Sequence, residues 1–399
     1  MKDVKLRAYA AANLGDDLFL ELICQRYPNV KFHLCGSRMF AAHYSYIPNL
    51  CYHSFDTPTV RLSVAVYRSI ARLINRLFGK TLLRQCTTDM ALELFYARRA
   101  DANVFITGSG FMNSKEERDS LPEKMEEEQC YYRLHPYLIG CNFGPFAHEE
   151  YLQMYQTLFQ NTADLCFRDV YSLNLFPMVE TARMAADIVF SYPAELVESV
   201  PPMIAEPYLL ISTANLAKDK DEAGNHMDEY VSMLRRLVKD RNSRKLHTVF
   251  LGFSTHQKDD ETILIILDGV GDSQWNHVFN YPQLTSTQAL RLIRDAEAVV
   301  ATRYHAMVLA LLFGKAVCTV CYNEKVRHVL EDIDPGAVYV SLEEMSEMTP
   351  TQLESERLFR ISEETRQKLI SSSHTQFREL DKILTDASNR RGFSNEAEN

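Results

Sequence analysis

Glu297-Ala-Val-Val-Ala-Thr302-Arg303-Tyr304-His305-Ala-Met-Val-Leu-Ala-Leu-Leu-Phe-Gly314 starts as a β-branched run and becomes an apolar helical segment within three residues. The run ends near Thr302, so Arg303 and His305 fall at a strand C-terminus and a helix N-terminus together. Free backbone N–H groups and the positive end of the helix dipole make such a junction an anion site. Arg303 adds a permanently charged planar fork that matches phosphate or carboxylate. His305 titrates near neutral pH and can pass a proton to a reacting group. The competing use of the same residues is structural: both cap the first turn and pair with a nearby Asp or Glu.

The alternation of short apolar runs with helical periodicity extends outward in both directions, the signature of parallel βαβ units. Before the segment, runs at 4–10, 30–35, 104–107, 137–141 and 164–167 read as strands, with helices between them at 16–26, 87–99 and 149–160. Pro193, Pro201, Pro202 and Pro207 then crowd one stretch, blocking helix continuation and ladder bonds. Beyond it, runs at 208–212, 248–253, 277–279, 298–301 and 317–321 alternate with a second set of helices. The fold expected is α/β: two Rossmann-like, doubly wound domains facing a cleft, with C-terminal helices. Residues 1–195 form the first domain, 196–207 the linker, 208–340 the second domain, 341–388 the helices and 389–399 a disordered tail.

Composition sets the outer bounds. The chain has 399 residues, 46% hydrophobic and 24% charged, as in a folded protein of two or three domains. Its net charge of -10 argues against nucleic acid as a partner. No apolar stretch approaches a membrane span and Met1 to Arg7 lacks a signal-peptide core, so a cytoplasmic location is expected. Nine scattered cysteines fit free thiols. Cys318 and Cys321 form the single CxxC, but on a strand they point to opposite faces, so no metal site is expected. Residues 59–84 carry Arg61, Arg68, Arg72, Arg76, Lys80 and Arg84 without a carboxylate, beside an apolar face of Val66, Ile70, Leu73, Ile74 and Leu77. Such a basic amphipathic helix suits peripheral contact with an anionic membrane, or an arginine face held on the domain by its apolar side.

Two further loops follow strand ends. Ala12-Asn13-Leu14-Gly15-Asp16-Asp17 opens the first helix, where Gly15 permits close approach and Asn13 or Asp16 can cap or bind a sugar hydroxyl. Phe105-Ile-Thr-Gly108-Ser109-Gly110-Phe111 suits a chain wrapped close to a ligand. Neither is a dinucleotide fingerprint or a phosphate-cradling P-loop.

Taken in order, these pieces resemble the polysaccharide pyruvyl transferase family. The resemblance runs through Asn13-Leu-Gly-Asp16, Gly108-Ser-Gly110, Gly140-Cys-Asn-Phe-Gly144-Pro145, Phe167-Arg168-Asp169 with Ser172, Ala186-Asp187, Arg303-Tyr-His305, Gly314-Lys-Ala-Val, Tyr322 and Lys325. It implies a GT-B-like pair of domains that moves pyruvate from phosphoenolpyruvate onto two sugar hydroxyls as a cyclic ketal, in surface polysaccharide or exopolysaccharide synthesis. No cofactor beyond that donor substrate is implied. Arg303 and His305 are the implied catalytic pair, His305 as general acid. Asn13, Gly15, Asp16, Gly108, Ser109, Arg168, Ser212, Asn215, Tyr322 and Lys325 are the implied substrate contacts. Asn215 stands where members often carry an arginine, so either another cation substitutes (Lys218, Lys220 or Arg168), or the donor differs, or activity is lost. The acceptor would be a lipid-linked saccharide met at the inner membrane face through residues 61–84. The alternatives are a GT-B nucleotide-sugar glycosyltransferase, or a catalytically weakened family member with a binding role.

Overall fold

The computed structural model describes residues 1–78, 87–218 and 222–385. The 389–399 segment, Lys80, Arg84 and Lys220 fall outside these, as does the side chain of Lys218. The first domain contains β1 (Lys2–Ala8), β2 (Val30–Gly36), β3 (Leu50–Ser54), β4 (Ala102–Ile106), β5 (Phe111–Asn113), β6 (Tyr137–Cys141), β7 (Phe143–Phe146), β8 (Asp164–Phe167) and β9 (Ala182–Met184). All but β5 and β7 form one parallel sheet in the order β3-β2-β1-β4-β6-β8-β9, while β5 and β7 pair with each other. The second domain contains β10 (Tyr208–Ser212), β11 (His247–Gly252), β12 (Asn276–Asn280), β13 (Ala298–Ala301), β14 (Ala316–Cys321) and β15 (Tyr339–Ser341). Its parallel sheet runs β12-β11-β10-β13-β14-β15. The fold is therefore α/β, with two Rossmann-like domains.

Strand order reverses between β1 and β4 in one sheet and between β10 and β13 in the other. Crevices open at the carboxyl ends of strands where such a reversal occurs. The loops that begin with Tyr9, Thr107, Thr213 and Thr302 all lie at those ends, which is why site residues so distant in sequence share one region.

Between the domains lies the helix Leu14–Arg26. It is buried from Leu14 to Cys24 apart from Asp16, and its apolar residues occupy every face. Leu14 donates its backbone N–H to Phe253 O of the second domain at 3.0 Å. Asp17, fully buried, accepts from His43 Nε2 at 2.6 Å, from Tyr44 Oη at 2.7 Å and from Tyr281 Oη of the second domain at 2.7 Å. One turn on, Glu21 accepts from Tyr46 Oη at 2.6 Å and from Ser286 Oγ at 2.9 Å. A single apolar core runs through this helix into both domains.

The helix Ala194–Glu198 runs across residue 195, where the sequence reading ended the first domain; Pro193 at its N-cap fits a helix start as well as a linker. The sequence runs missed the short edge strands β3, β9 and β15, which have polar residues in their pattern, and the separate pair β5 and β7. Cys318 and Cys321 lie buried on β14, and every described cysteine is a free thiol.

The helices Glu363–His374 and Arg378–Leu384 return to the first domain. Gln376, fully buried, anchors them: its Oε1 accepts from Gly140 N–H at 2.9 Å, and its Nε2 faces the carbonyls of Phe167, Ala185 and Ala186 at 3.1 to 3.4 Å. Removing one partner from buried polar groups costs their desolvation. Gln376→Ala should therefore lower unfolding stability by about 3 kcal/mol, read as a reduced urea midpoint.

Candidate active site

The segment 297–314 forms as its sequence dictates: β13 ends at Ala301 and the helix Tyr304–Leu312 begins with Arg303 at its N-cap and no side chain capping it. His305 points into the seam, against the start of the Leu14–Arg26 helix. Asn13 Oδ1 accepts Gly15 N–H there at 3.0 Å, and the His305 ring meets Phe19 edge-on at 5.1 Å. A Cβ on Gly15 would lie 1.9 Å from His305 Nδ1, so only glycine admits the imidazole. His305 Nε2 is buried 3.9 Å from Asp187 Oδ2 and has no hydrogen-bond partner among the described residues.

The other wall is cationic. Arg168, buried just after β8, gives Nη1 to Asp187 Oδ2 at 2.8 Å and Nη2 to Asn142 Oδ1 at 2.7 Å. Its guanidinium carbon stands 4.2 Å from the centre of the Tyr304 ring. Arg168 Nη2 also reaches Ser109 Oγ at 3.2 Å, and Lys325 Nζ from the second domain donates to the same oxygen at 2.9 Å. One hydroxyl oxygen thus sits between two cations, one from each domain. Gly108, at φ +50 with Asp16 Oδ1 3.4 Å from where its Cβ would stand, turns Ser109 into that position.

This environment separates two proton-exchanging groups. Burial pushes the Asp16 carboxyl up to about 7; Asp17 adds to this, and Arg168, Arg303 and Lys325 oppose it. Burial pushes the His305 imidazole down to about 4; Asp187 opposes that shift, while Arg168, Lys325 and Arg303 reinforce it. Burial thus favours the neutral imidazole of His305, where the sequence reading expected a general acid. Asp16 is the group holding a proton near neutrality.

Arg303 differs from expectation too. Its Nε donates to Asp259 Oδ2 at 3.0 Å, Nη2 binds Asp259 Oδ1, and Nη1 binds Gln257 Oε1. Asp259 is fully buried and also accepts from the backbone N–H of Phe253 and Ser254 at 3.0 and 3.1 Å. The fork read as an anion clamp is thus engaged by a carboxylate, and Arg303 reaches Asp16 and His305 through its field rather than by contact. Asn13 Nδ2 meets Gln257 Oε1 at 3.4 Å on the same side. Tyr322 is near enough to influence Arg303 electrostatically. Ser212 is fully buried with its hydroxyl unpartnered among the described residues, and Asn215 Oδ1 accepts from Ala217 N–H at 3.1 Å. Neither makes a described hydrogen bond to the Ser109 cluster.

Gly15, Asp16, Gly108, Ser109, Arg168, His305 and Lys325 therefore come together, with Arg303 and Asn13 one layer away. The sequence reading passed over Asn142, Asp187, Gln257 and Asp259 as site residues. Asp259 looked like an ordinary acidic first-turn residue in Lys258-Asp259-Asp260-Glu261, and only its burial distinguishes it. Among the described residues no group of His, Cys, Asp and Glu is arranged to hold a metal ion, and no helix is long and apolar enough to cross a membrane.

Solved structures share this architecture. Anabaena HepE, in complex with UDP and glucose, superposes with a TM-score of 0.52 at 11% identity, covering 95% of each chain. A UDP-forming trehalose-phosphate synthase from Burkholderia xenovorans gives 0.51 at 11% identity, over 97% of this chain and 98% of its own. At such identities the likeness concerns fold alone, and the fold is that of the GT-B class: paired Rossmann-like domains closed over a cleft. The sequence narrows the class further. The family model described as polysaccharide pyruvyl transferase matches residues 13–324. The amylovoran biosynthesis protein AmsJ of Erwinia amylovora is 20% identical over 213 residues, 49% of this chain and 51% of AmsJ, so the match spans about half of that relative. The chain belongs to the polysaccharide pyruvyl transferase family, a family of transferases.

Two outcomes follow from the geometry. His305 has a folded pKa of about 4 against an ordinary 6.5, so its contribution to stability is complete above pH 6.5 and is lost as pH falls from there toward 4. The loss should approach ~3 kcal/mol, and His305→Gln should abolish that part of the decline in urea melts at pH 7 and pH 4.5. Arg303→Ala, leaving Asp259 buried without its partner, should destabilise by about 3 to 5 kcal/mol, read in the same way.

Proposed function

We propose that this protein transfers pyruvate from phosphoenolpyruvate to two hydroxyls of a saccharide, closing a cyclic ketal during surface polysaccharide or exopolysaccharide assembly. Family membership supports the reaction class. The observation that carries the donor is Ser109 Oγ, reached by Arg168 at 3.2 Å and by Lys325 at 2.9 Å. An anionic oxygen satisfies two cations better than a neutral hydroxyl does. Phosphoenolpyruvate brings a phosphate and a carboxylate, two anionic groups that match these cations.

In this reading Asp16 delivers its proton to the methylene carbon of the donor, leaving C2 electron-poor. A sugar hydroxyl attacks C2 while His305, neutral and with Nε2 unpartnered, takes its proton. The second hydroxyl then attacks C2 as the C2–O bond to phosphate breaks, and its proton leaves with inorganic phosphate. His305 then returns its proton through solvent to the Asp16 carboxylate, so donor plus diol gives ketal plus phosphate with both groups reset. Arg168, Lys325 and the uncapped start of the Tyr304–Leu312 helix stabilise the charge on the departing phosphate.

Mass spectrometry of an oligosaccharide acceptor incubated with phosphoenolpyruvate should show the gain of one pyruvyl group less water, with release of phosphate. A hexose gain that requires a nucleotide sugar would instead assign the chain to glycosyl transfer, and donor binding without turnover would make it a binding protein. Lys325→Ala should weaken phosphoenolpyruvate binding by ~1.5 to 3 kcal/mol in calorimetry. Asp16→Asn should cut turnover a hundredfold or more with little change in donor affinity, the span general acid catalysis commonly contributes being about 10² to 10⁴.

A further inference from the structure

The helix Pro58–Phe78 leaves the carboxyl end of β3 and carries Arg61, Arg68, Arg72 and Arg76 with no Asp or Glu, inside a chain of net charge -10. It has two apolar faces. Val64 and Ala71, 7% and 0% exposed, turn one face onto the domain. Leu62, Val66, Ile70 and Leu73, recurring every three or four residues, form the other, and they are 68%, 51%, 50% and 58% exposed. A helix that needed only its own domain would place polar residues on that second face. By helical periodicity Arg61, Arg72 and Arg76, all exposed, border one side of the open stripe. Ser63 and Ser69 return their hydroxyls to the carbonyls of Thr59 and Ala65, each at 2.9 Å, so they bring no unsatisfied hydroxyl to an apolar contact.

We propose that the stripe of Leu62, Val66, Ile70 and Leu73 seats on an anionic lipid bilayer, with Arg61, Arg72 and Arg76 against the headgroups. Apolar side chains entering the headgroup boundary beside a basic flank are what an interfacial helix requires. Charge complementarity selects this occupant over a second copy of the chain, because an antiparallel two-fold pairing of the stripe would bring like arginines toward each other, whereas anionic headgroups meet them with opposite charge. The helix follows a strand end on the cleft side of the first sheet, so the seat brings the cleft rim to the membrane, where a lipid-attached acceptor would be met. The seat is independent of the pyruvyl-transfer reading: vesicle binding and donor turnover are separate measurements, and failure of one leaves the other standing.

Flotation of the full-length protein with phosphatidylglycerol–phosphatidylcholine vesicles, against phosphatidylcholine alone, tests the seat. The protein should float with the anionic vesicles at least tenfold more than with the neutral ones. The triple variants Arg61→Glu/Arg72→Glu/Arg76→Glu and Leu62→Ser/Ile70→Ser/Leu73→Ser should each lower the bound fraction at least tenfold, with thermal melts and phosphoenolpyruvate binding unchanged. If a triple variant melts early, the single Leu73→Glu should still reduce flotation severalfold. Absence of flotation, or flotation untouched by the serine variants, overturns the proposal. So does light scattering that shows the serine variant converting a dimer to a monomer, since the stripe would then belong to a second copy.

Discussion

The structure depends on burying one helix, Leu14–Arg26, between two sheets. Apolar residues around its whole circumference give it no solvent face, so neither domain can satisfy it alone. Its two acidic side chains facing the second domain, Asp17 and Glu21, could not be left there unpartnered, and Tyr281 and Ser286 of that domain complete them. Domain closure is thus written into a polar ladder laid along an apolar helix. The same helix fixes the chemistry: Gly15 leaves the gap that His305 enters, and Asp16 follows as the one residue of its first two turns that reaches the cleft.

Desolvation in that seam shifts two groups in opposite directions. It raises the Asp16 carboxyl to about 7, where a proton is held near neutrality, and lowers the His305 imidazole to about 4, where the ring stands neutral. Cations supply the second influence, holding down the proton affinity of both groups. A doubly negative donor arriving among Arg168, Lys325 and Arg303 would offset that influence and raise both pKa values. Donor binding would then strengthen His305 as a base while keeping Asp16 protonated, the states that the proposed ketal formation would use.

Much of the fold was legible because strand and helix periodicities differ and prolines mark the passage between domains. Arg303 and His305 were visible because a β-branched run ended just where a helix began. What escaped was tertiary. Asp259 and Gln257 lie more than forty residues before Arg303, and nothing in a local pattern says which of several acidic residues will be buried against it. Likewise, the direction of the His305 shift follows from burial against Gly15 and Phe19, a contact between domains that no single segment encodes.

The engagement of Arg303 with Asp259 changes how the missing arginine at Asn215 should be understood. A site that spends one guanidinium on fixing the loop at Phe253 and Ser254 must find its anion contacts elsewhere, and Arg168 and Lys325 are placed to provide them. They come from opposite domains and already share Ser109 Oγ, so an oxygen that displaced this hydroxyl would be held by both domains at once. Such a ligand binds the closed arrangement more tightly than any open one, and it shifts the population toward closure by that difference in affinity. On the proposed reading, two cations on separate domains would couple donor capture to the exclusion of water.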